Sequence, residues 1–300
     1  MKRRLLFMTF LLASLLVSLF PSTTFAQTPT NKGLAISPPQ QFLEVDAGKT
    51  VQGNVTIANF TTAPLTVTLS VEQFSVADYS YNYIFSDVKE NWLHFTQTVV
   101  QLQPNKSAQV AYSVTPPGKT APGGKYYTIV ASATLKQGSI SSQVQVATPL
   151  YITVNGPTIQ TNKLVSHSIS GFVVGNVIPF SLDINNTGNV HYTATTTGSI
   201  SGLWTDKSTV TATHILLPGT TRRVTDDIPS PLLPGIYKAT YGYSTDSSKP
   251  IISEGLVVYT PLWFYAVVIL GSWGLSILIR RHTAKKKLSQ ATDSRQQQYK

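Results

Sequence analysis

The sequence predicts an all-β body framed by an N-terminal signal helix and one C-terminal transmembrane helix, and three observations carry that reading. Short apolar runs between residues 33 and 258 alternate with period two. Turn residues punctuate them at short intervals. Uncharged apolar segments stand only at the two ends. Period two with β-branched side chains is the mark of half-buried strands.

The first apolar segment is Leu5–Phe20, preceded by Lys2, Arg3 and Arg4 and followed by Pro21 and Ser22-Thr23-Thr24-Phe25-Ala26. A basic start, an apolar stretch and a small-residue site make a secretory signal, which places the signal peptide at 1–26. The other reading is an uncleaved anchor.

The body follows. Val51, Val55 and Ile57 share one face, as do Leu65, Val67, Leu69 and Val71, and again Val110, Tyr112 and Val114. Asp46-Ala47-Gly48, Pro104-Asn105, Gln137-Gly138, Asn186-Thr187-Gly188-Asn189 and Leu217-Pro218-Gly219 are turn signals. The chain also repeats itself. Ile57-Ala58-Asn59 matches Ile184-Asn185-Asn186. Leu102, Pro104, Ser107 and Val110 match Leu216, Pro218, Thr221 and Val224 at the same spacing. Pro122-Gly123 before Tyr126 matches Pro234-Gly235 before Tyr237. The expected architecture is two tandem Ig-like antiparallel sandwiches, 33–155 and 156–258, with an insertion near 75–95 in the first. A tyrosine corner gives Tyr237 a structural role.

The second apolar segment has no charge between Glu254 and Arg280. Tyr259, Trp263 and Tyr265 stand at its outer end and Arg280, Arg281 and Lys285–Lys287 at its inner end. Interfacial rings outside and basic residues on the cytoplasmic side predict a transmembrane helix over 259–279 with a basic cytoplasmic tail over 280–300. The expected location is the plasma membrane, single-pass, with the body extracellular.

Charge has the same origin. Formal net charge is +10. Three basic residues and no acid lie in 1–26; seven basic residues and one acid lie in 280–300. The body is almost neutral, so no nucleic-acid partner is expected. The chain has no cysteine, which removes disulfides, thiolate metal sites and cysteine nucleophiles. No G-x-S-x-G elbow, phosphate loop or dinucleotide fingerprint occurs. No enzyme activity, cofactor or metal is expected. His94, His167, His191 and His214 read as surface or turn residues, and Asp226-Asp227 as a solvated strand end.

Tyr79, Tyr81, Tyr83 and Phe85 recur at period two in the insertion, followed by Trp92 and Phe95. Aromatic faces stack on sugars and anchor protein interfaces. Tyr79, Tyr81, Tyr83, Phe85 and Trp92 are therefore the candidate ligand-binding residues. The competing reading is a hairpin that covers the sandwich, with Trp92 in the core.

Ile36-Ser37-Pro38, Asp46-Ala47-Gly48-Lys49-Thr50, Val55-Thr56-Ile57-Ala58-Asn59, Ala121-Pro122-Gly123-Gly124-Lys125-Tyr126-Tyr127 and Asn186-Thr187-Gly188-Asn189-Val190-His191 resemble WxL-interacting surface proteins of Gram-positive bacteria. That resemblance implies cell-surface binding, with peptidoglycan as partner of the first domain and surface proteins as partners of the second. The expectation is an adhesion-type binding protein. The alternative is a membrane-tethered chaperone or assembly factor for surface fibres, which needs a long unpaired strand edge.

Overall fold

A computed structural model describes residues 33–297, apart from 138–139, 203–204 and 246–247. The signal segment 1–26 lies outside the described residues. The chain is all-β with one C-terminal helix.

The first ten strands are β1 (Leu34–Ser37), β2 (Gln41–Val45), β3 (Val51–Asn59), β4 (Leu65–Val76), β5 (Tyr83–Ser86), β6 (Leu93–Phe95), β7 (Val99–Leu102), β8 (Ser107–Val114), β9 (Gly123–Gln137) and β10 (Ile140–Val154). They form two facing sheets, ordered β1-β3-β8-β6 and β2-β10-β9-β4-β5, with β7 also on β4. The alternating residues Val67, Leu69, Val55, Ile57, Val110, Ile129, Leu150 and Ile152 point inward and are buried between them. Gly53 lets the Tyr112 ring cross β3, because a Cβ there would sit 2.3 Å from that ring.

The second group is β11 (Asn162–Ile169), β12 (Phe172–Val174), β13 (Val177–Asn186), β14 (Tyr192–Gly202), β15 (Thr205–Leu216), β16 (Thr221–Pro229), β17 (Gly235–Thr245) and β18 (Ser248–Thr260). Its sheets run β11-β13-β16 and β12-β18-β17-β14-β15. Ile178, Phe180, Leu182, Ile184, Val224, Ala239, Tyr241 and Val257 fill a separate core.

The pairing is not wholly antiparallel as expected. β2 lies parallel to β10, from Leu150↔Gln41 to Val154↔Val45. β12 lies parallel to β18, from Phe172↔Val258 to Val174↔Thr260. In each group the opening chain crosses from one sheet to the other, from β1 to β2 and from β11 to β12, and so meets the last strand running the same way. Hydrophobic alternation is blind to strand direction.

One residue after β18, helix α1 (Leu262–Gln297) begins. Its Leu262–Thr283 stretch, 22 residues, is long and apolar enough to cross a membrane, and no residue in it is buried.

Candidate functional site

The aromatic insertion does not form a continuous strand. Tyr79 and Tyr81 have φ of 62° and 57°, in the left-handed region that bulky residues seldom adopt. The strand resumes only at Tyr83. The loop is closed by the Ala77 N–H donating to the Asn82 carbonyl at 2.9 Å and the Tyr81 N–H to the Ala77 carbonyl at 3.0 Å. This geometry turns the loop onto the second group of strands. The Tyr79 N–H donates to the Thr221 carbonyl at 2.6 Å, and the Arg223 N–H donates to the Tyr79 carbonyl at 3.1 Å. The Thr221 N–H donates to Asp78 Oδ1 at 2.8 Å. The Leu217 N–H donates to the Tyr81 hydroxyl at 2.6 Å, and the Arg222 guanidinium lies 4.3 Å above the Tyr81 ring. Burial pushes the Tyr81 hydroxyl up to about 12, against the lowering effect of the Leu217 bond and of Arg222.

Rings complete the junction. Phe74, Tyr126 and Tyr151 of the first group pack edge-on or tilted, with centroids 5.6–6.0 Å apart. His191 of the second group packs 5.3 Å from Tyr151 and 5.6 Å from Tyr126. His191 was expected at the surface. It instead sits in this ring cluster, where burial brings its imidazole down to about 4. Gly123 has φ +130° and lies against the second group, so that a Cβ would stand 2.6 Å from the Asn189 carbonyl oxygen.

The structure therefore divides the five candidate residues. Tyr79 and Tyr81 join the two groups of strands. The Tyr83 hydroxyl shares a hydrogen bond of 2.9 Å with the Tyr151 hydroxyl, and its ring stacks on Phe85 at 6.0 Å. Both Tyr83 and Phe85 keep about half their surface exposed. Trp92 is 5% exposed and tilted against Tyr127 inside the first core, which leaves no face for a ligand. The open cleft beside the junction is lined by Phe42, Tyr81, Tyr83, Tyr151 and Arg222, and Arg222 also donates to the Ile215 carbonyl at 2.7 Å.

Other candidates resolve into structure. The His214 imidazole pairs with Asp226 at 3.1 Å, and Thr196 Oγ1 donates to the same carboxylate, so Asp226 is not a solvated strand end. The Tyr237 hydroxyl donates to the Leu233 carbonyl four residues upstream at 2.8 Å, the bond of a tyrosine corner. Among the described residues, no three His, Asp or Glu side chains gather as metal ligands.

No sequence motif marks the edge of β10. β9 pairs β10 along its whole length, Ile140↔Gln137 to Val154↔Gly123. On the other side, β2 covers only Leu150–Val154. Residues 140–147 thus present a free edge among the described strands; at Thr148, which is buried, Oγ1 donates to the Pro38 carbonyl at 2.6 Å. β4 reaches only Ala133 of β9, so beyond Ala133↔Val144 the hairpin projects as a two-stranded arm. Val144 and Val146 turn toward the first core and are half-buried, while Gln143, Gln145 and Ala147 face out.

Free edges invite pairing, and proteins usually blunt them with charge, proline or short length. β18 is free over residues 248–257 and carries Lys249, Pro250 and Glu254, and on the β15 edge the Ile215 carbonyl already accepts from the Arg222 guanidinium at 2.7 Å. The 15 residues of β10 include no charge, and its one proline, Pro149, stands beside the part that β2 already covers. The sequence signal was present in the uncharged alternation Val144-Gln145-Val146-Ala147-Thr148. Which side of the strand stays open is a matter of topology.

No family model matches the sequence, and no curated protein matches it. Among solved structures, the class 5 fimbriae chaperone CfaA superposes with a TM-score of 0.42 at 12% identity, over 75% of this chain and 99% of its own. A CFA/I chaperone–tip adhesin complex gives 0.40 at 14%, over 75% and 99%. The SafB chaperone in complex with SafA pilin of Salmonella enterica gives 0.38 at 10%, over 76% and 96%. Overlaps this loose bear on neither partner nor mechanism. The resemblance to WxL-interacting surface proteins does not hold, since the solved structures similar to the chain include pilus chaperones and no family model matches it. The strings behind the resemblance do turn work that many sandwiches need. The Lys49 N–H closes on the Asp46 carbonyl at 3.0 Å, with Gly48 at φ +76° and Gly123 at φ +130°. Peptidoglycan binding falls with the resemblance.

Proposed function

We propose that the chain is a non-catalytic, membrane-tethered chaperone or assembly factor for surface proteins, built of two Ig-like domains with a helical anchor. It holds an extended segment of its client by strand addition on β10. The observation that carries this reading is the free, uncharged edge over residues 140–147. A strand laid there gains main-chain hydrogen bonds, with specificity from alternate side chains. Val144 and Val146 are incompletely covered, so an added strand also buries apolar surface. The junction of Tyr79, Tyr81, Tyr126, Tyr151 and His191 supports the same reading, because it holds the second group of strands against the base of the first.

The anchor is α1. Its apolar stretch, the rings of Trp263 and Tyr265 at one end and Arg280 and Arg281 at the other favour a span with the β-strands outside.

A photo-crosslinking residue at Gln143, in the full chain expressed in its own cells, tests the reading. The expected product is one major adduct with a secreted or surface protein, absent when the crosslinker stands at Ile252 on β18. Equal labelling from both positions, or none from Gln143, contradicts it.

A further inference from the structure

The sheet β12-β18-β17-β14-β15 has an inner face in the second core and an outer face turned away from it. Near the start of α1 that outer face is apolar. Phe172, Val258 and Ile236 stand in register across β12, β18 and β17 and are 59%, 38% and 69% exposed. Their chain neighbours Val173, Val257 and Tyr237 turn inward and are buried. In the adjoining loop Leu232 is 79% exposed and Leu233 is also exposed. A contiguous apolar patch of this kind marks an interaction surface rather than scattered surface residues.

Its place relative to the helix is fixed. Trp263 Nε1 donates to the Leu232 carbonyl at 3.3 Å. Thr260 Oγ1 and the Tyr265 hydroxyl share a bond of 2.9 Å. The Tyr259 hydroxyl donates to the Gly175 carbonyl at 2.7 Å. Only Pro261 separates β18 from α1, so the patch has no linker by which to move away. Leu232 stands level with the first helical turn. Val258 lies three residues before Pro261, about 10 Å along a strand, so an upright strand carries it just past the headgroup layer of about 5–8 Å, and a tilt of about 40° or more brings it inside that layer. The first charges on this face are Lys238 and Glu254, paired with each other at 2.8 Å.

We propose that this end of the second group of strands docks on the phospholipid interface, with Leu232, Leu233, Ile236, Val258 and Phe172 set into the headgroup boundary of the outer leaflet. The inference rests on the reading of α1 as a span. Its consequence is orientation, for a docked base holds the β-strands at a fixed tilt and keeps β10 at a set height above the membrane.

The chain has no cysteine, so single variants can be labelled cleanly. Leu232→Cys, Ile236→Cys, Ile252→Cys and Leu275→Cys, each carrying an environment-sensitive fluorophore, are reconstituted as full chains in phosphatidylcholine vesicles. The quencher is a lipid spin-labelled near its headgroup, and a parallel set uses a quencher deep in the acyl chains. The expected result is about twofold quenching by the shallow lipid at positions 232 and 236. The deep lipid should quench 275, and neither should quench 252, which lies on the same face farther from the helix. Quenching at 275 with 232 and 236 as bright as 252 overturns docking and leaves the span standing. Absence of quenching at 275 overturns the span and docking together. Protection of 232 and 236 from aqueous iodide without lipid quenching shows a protein cover and also overturns docking.

Discussion

Asn59 and Asn186 are fully buried and do the same work in the two groups of strands. Asn59 Nδ2 donates to the Ala63 carbonyl at 2.9 Å and the Leu102 carbonyl at 3.2 Å, while its Oδ1 accepts from the Thr61 N–H at 2.9 Å. Asn186 Nδ2 donates to the Val190 and Leu216 carbonyls, both at 2.9 Å, and its Oδ1 accepts from the Gly188 N–H at 2.9 Å. A buried amide satisfied on three sides fixes a turn against a neighbouring strand end. His191 is a different case, a polar ring that the junction tolerates only when neutral. Unfolded, it titrates near its ordinary 6.5; folded, near 4. As pH falls between those values the unfolded chain takes up a proton that the folded chain refuses, so stability declines through that window and levels off below it. The loss attributable to His191 is about 3 kcal/mol at most. His191→Phe, which keeps an aromatic ring in the cluster, should lose less thermal stability than the native chain between pH 7 and pH 4.5 in calorimetry. Parallel pH profiles contradict this.

At the scale of elements, much of the fold was legible. The alternation in β3, β4 and β8 follows from residues that must bury one face, and the repeat that pairs Leu102 with Leu216 reflects the bonds those carbonyls make to Asn59 and Asn186. What the sequence left unread depends on residues far apart in the chain. Tyr79 and Tyr81 share a period-two pattern with Tyr83, yet their left-handed φ values arise from contacts with Thr221 and Leu217 more than 130 residues away. The parallel placement of β2 and the opening it leaves on β10 have no local signature. The edge itself can be altered without touching the core. Gln143 and Gln145 face out, and replacing both with lysine places charge along the edge as natural proteins do. The double variant should hold its crosslinked client about tenfold more weakly, roughly 1.4 kcal/mol, with an unchanged melting temperature. Undiminished capture contradicts the role of this edge.

On the whole molecule, the charge pattern fits what the elements do. The net +10 gathers at the two ends, and the β-strands between carry little net charge to steer a partner from a distance. Under the proposed reading, recognition then falls to strand geometry and apolar side chains. The β10 arm lies at one place in the chain, α1 at another, and the aromatic junction couples the groups of strands that bear them. Hydrogen exchange on the full chain, alone and with the client isolated by crosslinking at Gln143, tests strand addition most directly. Protection gained by amides within residues 140–147 of β10, with the outer edges of β15 and β18 unchanged, is the predicted result. Protection confined to the junction cleft, or spread equally over the edges of β10, β15 and β18, would contradict it.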